Sequence, residues 1–291
     1  MKHIKIGVVQ TPTVFGTKEE LFSIIRKQLE IKAVTYDLIC LPELFASKVN
    51  LVHLDASAEG EEGQVAEFLR SLSVKYSCYV TGGFLEKEDG EYYNAALLFD
   101  PQGVCIGKHR KLALNAFEEQ FMTPGNHVTV YETDLGRVGM IIGNDLNALH
   151  VCGELAAKDV DLMICMTQVP GEYEDIIETV AISRTMDIPC YLVMASTIGT
   201  CNISRIEFIG LTALFKNPNL MDDMLCCKPL DFKLAQCTQN EYEILYEEID
   251  MQNFLREKDF ALNRIAHNEI KELLYNQKEE IKIECSTGIA K

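Results

Sequence analysis

The sequence predicts a single layered α/β domain, and three observations carry that prediction. The chain opens on a strand–helix–strand pattern, strands alternate with helices to its end, and no linker, repeat or low-complexity segment divides its 291 residues. A chain of this length buries a substantial core whether it folds as one large domain or two ordinary ones.

The elements follow in order. Ile4 to Gln10 reads as a short apolar strand. From Lys18 to Ala33, apolar Leu21, Ile24, Ile25, Leu29 and Ile31 recur at roughly helical spacing. Tyr36 to Leu41 is a second buried strand ending in Pro42-Glu43. That opening favours a parallel pair joined by a right-handed crossover. Glu62 to Tyr76 reads as a helix and Cys78 to Leu85 as a strand. Antiparallel character follows: a polar turn over Glu86 to Gly90, a strand Tyr93 to Phe99, a turn at Asp100-Pro-Gln-Gly103, and a return over Val104 to Gly107. His127 to Glu132 and Val138 to Ile142 form another expected hairpin. Beyond a tight turn at Gly143-Asn144-Asp145 come a helix (Leu149 to Lys158), a strand (Asp161 to Met166), a helix (Glu172 to Met186) and a strand (Tyr191 to Ala195). The stretch from Thr200 to Cys237 is the least regular. Glu241 to Ile249 is a late strand, and helices are expected over Met251 to Arg256 and Phe260 to Asn276. The domain is taken as residues 1–276, with residues 277–291 a charged C-terminal tail.

Composition narrows the function classes. Hydrophobic residues at 47% and charged residues at 24% give an ordinary globular balance, and a net charge of −17 argues against binding nucleic acid through phosphates. The eleven cysteines are scattered through apolar runs such as Leu38-Ile39-Cys40-Leu41, as buried thiols in a reducing cytoplasm would be. No apolar run approaches the roughly eighteen residues of a membrane span, and Met1-Lys2-His3-Ile4-Lys5 leads straight into a strand without a signal-like segment. A cytoplasmic protein is expected, with no membrane partner. His150-x-Cys152 offers two metal ligands without a third or fourth, so no metal and no cofactor are expected.

Four positions stand out for chemistry. Glu43 lies just past a buried strand, where open α/β sheets place their ligands. Lys111 ends Gly107-Lys-His-Arg-Lys111, and Glu118 precedes the turn at Pro124-Gly125. Gly143 stands at a sharp strand-to-helix turn, the place where α/β hydrolytic enzymes lift a nucleophile clear of the sheet. Glycine has nothing to present there.

The order and surroundings of these positions resemble the nitrilase, or carbon-nitrogen hydrolase, superfamily from the first strand to about Arg256. Seven segments carry the resemblance: Ile6-Gly-Val-Val-Gln10, Asp37-Leu-Ile-Cys-Leu-Pro-Glu43, Tyr93-Asn-Ala-Ala-Leu-Leu-Phe-Asp-Pro-Gln-Gly103, Gly107-Lys-His-Arg-Lys111, Thr123-Pro-Gly125, Gly136-Arg-Val-Gly-Met-Ile-Ile-Gly143 and Ile249-Asp250. The resemblance implies a four-layer α-β-β-α sandwich, protomers that associate into homo-oligomers, and a small-molecule substrate or ligand. It implies Glu43 as a general base, Lys111 as the lysine that steadies an oxyanion, and Glu118 as an assisting glutamate, with Glu119 the alternative register.

The family's nucleophilic cysteine is not there. Where the family reads Ile-Cys-Tyr-Asp, this chain reads Ile142-Gly143-Asn144-Asp145; Phe-Pro-Glu becomes Ala148-Leu149-His150, and an expected Asn is Ser196. Glycine cannot form a thioester. The reading is therefore a degenerate member holding a small amide, amine or carboxylate in a Glu/Lys/Glu pocket. The alternative is an active hydrolase using a relocated nucleophile, with Cys165 the candidate, or water activated by Glu43.

Overall fold

The computed structural model describes residues 3–47, 54–201, 205–217, 232–238 and 241–264, with side chains through Asp259. In chain order the strands and helices are β1 (His3–Val9), β2 (Thr11–Pro12), α1 (Lys18–Lys32), β3 (Leu38–Cys40), α2 (Gln64–Tyr76), β4 (Tyr79–Glu88), β5 (Glu91–Phe99), β6 (Cys105–Arg110), β7 (Val130–Thr133), β8 (Gly136–Ile142), α3 (Leu149–Ala157), β9 (Leu162–Thr167), α4 (Glu174–Asp187), β10 (Tyr191–Thr200), β11 (Glu207–Ile209), β12 (Ala213–Phe215), β13 (Lys233–Gln236), β14 (Ile244–Asp250) and α5 (Met251–Arg264).

Local chemistry sets the ends of these elements. Thr17 caps α1: its hydroxyl accepts from the Glu20 amide and the Glu20 carboxylate accepts from the Thr17 amide, a reciprocal box. The α1 face of Leu21, Phe22, Ile25 and Leu29 is buried, and Phe22 stacks on Phe68 of α2 with centroids 4.0 Å apart. Strand β4 runs on to Glu88, past its expected end, so the hairpin to β5 turns on two residues, Asp89 and Gly90.

Two sheets result. The first has the order β14-β1-β3-β4-β5-β6, and the second β13-β12-β10-β9-β8-β7. The expected parallel opening is present, with Ile6 opposite Leu38 and Val8 opposite Cys40. In the second sheet β8, β9 and β10 are parallel, with Met140 opposite Ile164 and Ile164 opposite Val193.

A period of two along each strand separates the cores. Ile6, Leu38 and Leu98 of the first sheet meet Met140, Ile164 and Val193 of the second in one apolar layer. The opposite face of the first sheet packs on α1 and α2, through residues such as Leu29, Leu69 and Val80. The opposite face of the second packs on α3 and α4, through Leu155, Ala181, Met163 and Leu192. Helix pair, sheet, sheet, helix pair: this is the expected four-layer α-β-β-α sandwich.

Three differences from expectation have physical reasons. The irregular stretch after Thr200 contains β11, β12 and β13, each only three or four residues long, too short for an alternating pattern to declare itself. Strand β10 runs five residues past Ala195 because β2 and β11 pair with its far end. The break expected after Arg256 is absent: α5 is continuous over Met251–Arg264, held by buried Lys258, whose ammonium donates to the Asp161 carboxylate at 2.6 Å and to the Val160 carbonyl at 2.7 Å. Residues 265–291, which hold most of the expected helix Phe260 to Asn276 and the whole charged tail, lie outside the described residues. No described helix is long and apolar enough to cross a membrane.

Candidate functional site

The carboxyl ends of β3, β6 and β8 converge at one edge of the sandwich, and each delivers one group. Beyond β3, Leu41-Pro42-Glu43 enters a turn in which Leu44 takes a left-handed conformation (φ 48°). The turn presses against Gly83 of β4, where a Cβ would lie 2.8 Å from the Leu44 amide nitrogen and 2.9 Å from Glu43 Cα. Only glycine fits that approach. Lys111 is the residue after β6, and Gly143 the residue after β8. Glu118 opens a short 3₁₀ turn, with its Oε2 accepting from the Asn115 amide at 2.9 Å.

These side chains form a buried ionic triad. Lys111 Nζ donates to Glu43 Oε1 at 2.9 Å and to Glu118 Oε1 at 2.7 Å. Asn94, in the middle of β5, donates to Glu43 Oε1 at 2.7 Å and to Glu118 Oε1 at 3.3 Å. Burial alone would lower the Lys111 pKa, but the two carboxylates outweigh it and hold the ammonium charged. Burial raises the Glu43 carboxyl; Lys111 and Asn94 pull against that rise and Glu118 adds to it.

Gly143 faces this triad directly. It adopts φ +49°, and a Cβ there would lie 3.0 Å from Lys111 Nζ and 3.1 and 3.2 Å from the two Glu43 oxygens. The four positions singled out in the sequence are therefore brought together. Glu119, the alternative register, is exposed and takes no part.

Cys165 is not brought to the site. It sits mid-strand in β9 on the face toward α3 and α4, packed with Ile141, Val151 and Leu155, and does not line the cavity described below. Burial drives its thiol pKa well above the usual value, aided by the Glu43 and Asp145 charges; Lys111 counters weakly. The strand period sends Met166 between the sheets and Cys165 the other way. His150 is exposed on α3, whereas Cys152 is buried against the Leu146 carbonyl, so the two do not converge as metal ligands. Among the described residues one acidic trio (Glu61, Glu86 and Glu88) brings ligand atoms within 4.8 Å of one another, but Lys108 and Arg110 already bridge it.

Sequence reasoning passed over three supporting residues. Asn94 stands in an otherwise apolar strand with 0% exposure, and a buried amide in such company needs partners; that was the available signal. Asp145, at the turn after Gly143, is a clamp. Its Oδ1 accepts from the Leu112 and Ala113 amides (2.9 and 2.7 Å), and its Oδ2 from Ile142 N (3.0 Å) and His109 Nε2 (2.9 Å). Burial would raise its carboxyl pKa, but the His109 and backbone hydrogen bonds overcome this and hold it below the usual value. By tying residues 112–113 to the β8 turn, Asp145 fixes Lys111 over Gly143. The third, Gln168, donates to the Glu43 carbonyl at 3.2 Å from the end of β9.

The triad floors a cavity of about 820 Å³. Phe15, Phe45, Phe117, Val169 and Phe208 give it apolar walls, and Thr197 adds a hydroxyl. The space admits a small organic molecule. An ammonium held charged beside a carboxylate of raised pKa can polarise a carbonyl and exchange a proton with a bound ligand.

Comparison with known proteins places this geometry. The family model described as carbon-nitrogen hydrolase matches residues 5–221. A hydrolase of Schizosaccharomyces pombe, C26A3.11, is 27% identical over 203 residues, covering 64% of this chain and 63% of its own. Omega-amidase NIT2-B of Xenopus laevis is 27% identical over 174 residues, covering 55% of this chain and 62% of its own. The chain thus spans less than two thirds of the length of either relative. In fold, it is similar to the Xanthomonas campestris protein XC1258, a CN-hydrolase superfamily member solved with an arsenic adduct in its active site: TM-score 0.78, 18% identity, 91% of this chain and 96% of that one. With the family's sequence signature running through most of the residues that build the two sheets and the triad, the chain belongs to the carbon-nitrogen hydrolase family.

Proposed function

We propose that this protein is a degenerate carbon-nitrogen hydrolase that holds a small amide, amine or carboxylate ligand without efficient turnover. In this reading Gly143 occupies the place of the family's nucleophilic cysteine. One observation carries it: Lys111 and Glu43 converge within 3.2 Å of a Cβ position that glycine leaves empty, at the floor of an open cavity. The binding groups remain while the covalent step has no atom to run through. A relative bearing the name omega-amidase supports an amide as the ligand class. Cys165 does not serve as a substitute, since it faces away from the cavity and its thiol is held neutral.

The experiment compares the unaltered protein with Gly143→Cys on a panel of amides and nitriles, with ligand binding followed by calorimetry. Deleting a covalent nucleophile costs a hydrolase on the order of a millionfold in kcat. Activity confined to the variant is the expected result. Family-like turnover by the unaltered protein would overturn the reading and favour water activated by Glu43.

Two further readings go with it. We infer that protomers associate, because Leu149, Ile176 and Met186 stand exposed on α3 and α4; sedimentation velocity tests this. A cytoplasmic setting is supported by the absence of any disulfide among the eight described cysteines.

A further inference from the structure

We propose a second chemistry for this site: proton abstraction from the carbon next to a ketone or aldehyde carbonyl, with Glu43 as the base and Lys111 holding the enolate oxygen. This goes beyond the reading of the site as a ligand pocket, since it breaks and remakes a C–H bond and needs no nucleophile.

Enolisation asks for two groups and forbids a third. It needs a carboxylate oxygen free to take a proton and a donor within reach of the carbonyl oxygen, with no thiol close enough to add to that carbonyl. Glu43 is engaged on one oxygen only: Oε1 accepts from Lys111 at 2.9 Å and from Asn94 at 2.7 Å, whereas Oε2 accepts from no other described residue. Lys111 spends two N–H groups on Glu43 and Glu118 and keeps a third. The Cβ position of Gly143 lies 3.1 Å from Glu43 Oε2 and 3.0 Å from Lys111 Nζ, so the free oxygen and the ammonium face the same small space. An α-hydrogen sits three bonds from its carbonyl oxygen, a span that fits between them. The cavity of about 820 Å³ above, with Phe15, Phe117, Asn144 and Gln168 among its walls, admits a small carbonyl compound.

The charge states suit these roles. Two carboxylates hold Lys111 protonated, so it meets the carbonyl oxygen as a cation and not as an amine that would condense with the carbonyl. Burial lifts the Glu43 carboxyl against the pull of Lys111, with Glu118 adding to the rise, and a carboxylate of raised pKa is the stronger base. Gly143 meets the last condition. A cysteine there would start at the same point, between Oε2 and Nζ, and its thiol would add to a ketone or aldehyde. The carbonyl that acidifies the neighbouring C–H would then be gone. Glycine has no group to add, so the residue that closes covalent amide cleavage opens this reaction. The step balances without a further reagent. The α-C–H bond breaks and its proton passes to Glu43 Oε2, while the electron pair moves onto the carbonyl oxygen against Lys111. That proton, or one exchanged with solvent on Oε2, then returns to carbon.

The test follows loss of α-hydrogen from butanone and from 2-methylpropanal in deuterium oxide by proton NMR. The unaltered protein is expected to exchange at least one of them about a hundredfold faster than Glu43→Gln, the lower end of what a positioned base contributes. Gly143→Cys should lose most of that exchange, because its thiol captures the carbonyl. Acidification should slow the unaltered protein at a pH above the ordinary glutamate value of about 4.3, and a limb at that value would place the base elsewhere and count against the proposal. Equal exchange by the parent and Glu43→Gln, or full exchange by Gly143→Cys, would overturn it. If Glu43→Gln does not fold, Gly143→Cys decides by the same criterion. Amide binding is measured separately by calorimetry, so failure of the exchange leaves the ligand pocket standing.

Discussion

Replacing Lys111 by methionine keeps the volume of the buried side chain and removes its charge. Two carboxylates then face each other with only Asn94 between them. Breaking a buried ion pair by deleting one partner costs about 3–5 kcal/mol. With a urea slope of about 3 kcal/mol/M, the unfolding midpoint should fall by about 1 M or somewhat more. The loss should depend on pH, with a definite sign. Glu43 already has a raised folded pKa, and Lys111 is the main force opposing that rise; without it the carboxyl goes higher still. Above the unfolded carboxylate value of about 4.3, the folded state then holds a proton that the unfolded state releases, so stability falls as pH increases. Lys111 itself has a raised folded pKa, so its contribution persists at every pH below the ordinary lysine range and is not lost in this window. Urea melts at intervals from pH 5 to 8 should therefore show the variant and the parent drawing apart as pH rises, by up to about 1.4 kcal/mol per pH unit. A constant difference across that range, or a loss below about 1 kcal/mol of the size seen for exposed pairs, would refute the buried triad as the organiser of this site.

Gly143→Ala should cost roughly 1–2 kcal/mol, because alanine is strained at φ +49° and its methyl meets Lys111 Nζ at 3.0 Å; thermal melts should show a drop of several degrees. Asp145→Asn removes the charge from an acceptor of four hydrogen bonds and should destabilise by about 3 kcal/mol at neutral pH. Because the Asp145 carboxyl sits below its usual pKa, its contribution is present above the ordinary carboxylate range and lost on acidification, so the variant should show a flatter acid limb in urea melts. Cys165→Ala should leave ligand binding and any residual hydrolysis unchanged while costing about 1–2 kcal/mol of stability; a selective loss of hydrolysis would restore it as a nucleophile.

Much of this architecture was readable in advance because its signals are local. The capped helix after Thr17, the apolar runs at Asp37 to Leu41 and Val138 to Ile142, and the glycine-bearing turns each declare themselves within about ten residues. The triad was legible only through spacing shared with a family, since Glu43, Lys111 and Glu118 are individually ordinary. What stayed hidden was pairwise and distant. No local pattern says that Asn94 bridges two glutamates, or that Asp145 accepts from residues 109, 112 and 113. Cys165 illustrates the opposite failure. Its place on β9 was right, but one step in a two-residue period separates a side chain that faces the other sheet from one that faces the helices.

The pairing of β1 with β14 has a consequence for how this chain reaches its native state. His3 lies opposite Asp250, so β1 finds its outer neighbour in a strand far along the sequence. Until then β1 offers an unpaired apolar edge at Ile4, Ile6 and Val8, the kind of surface that recruits other chains. Long sequence separation between partners slows folding, because chain closure must precede the contacts that reward it. A chain lacking residues 244–250 should accordingly aggregate through that edge, whereas pairing with β14 seals it.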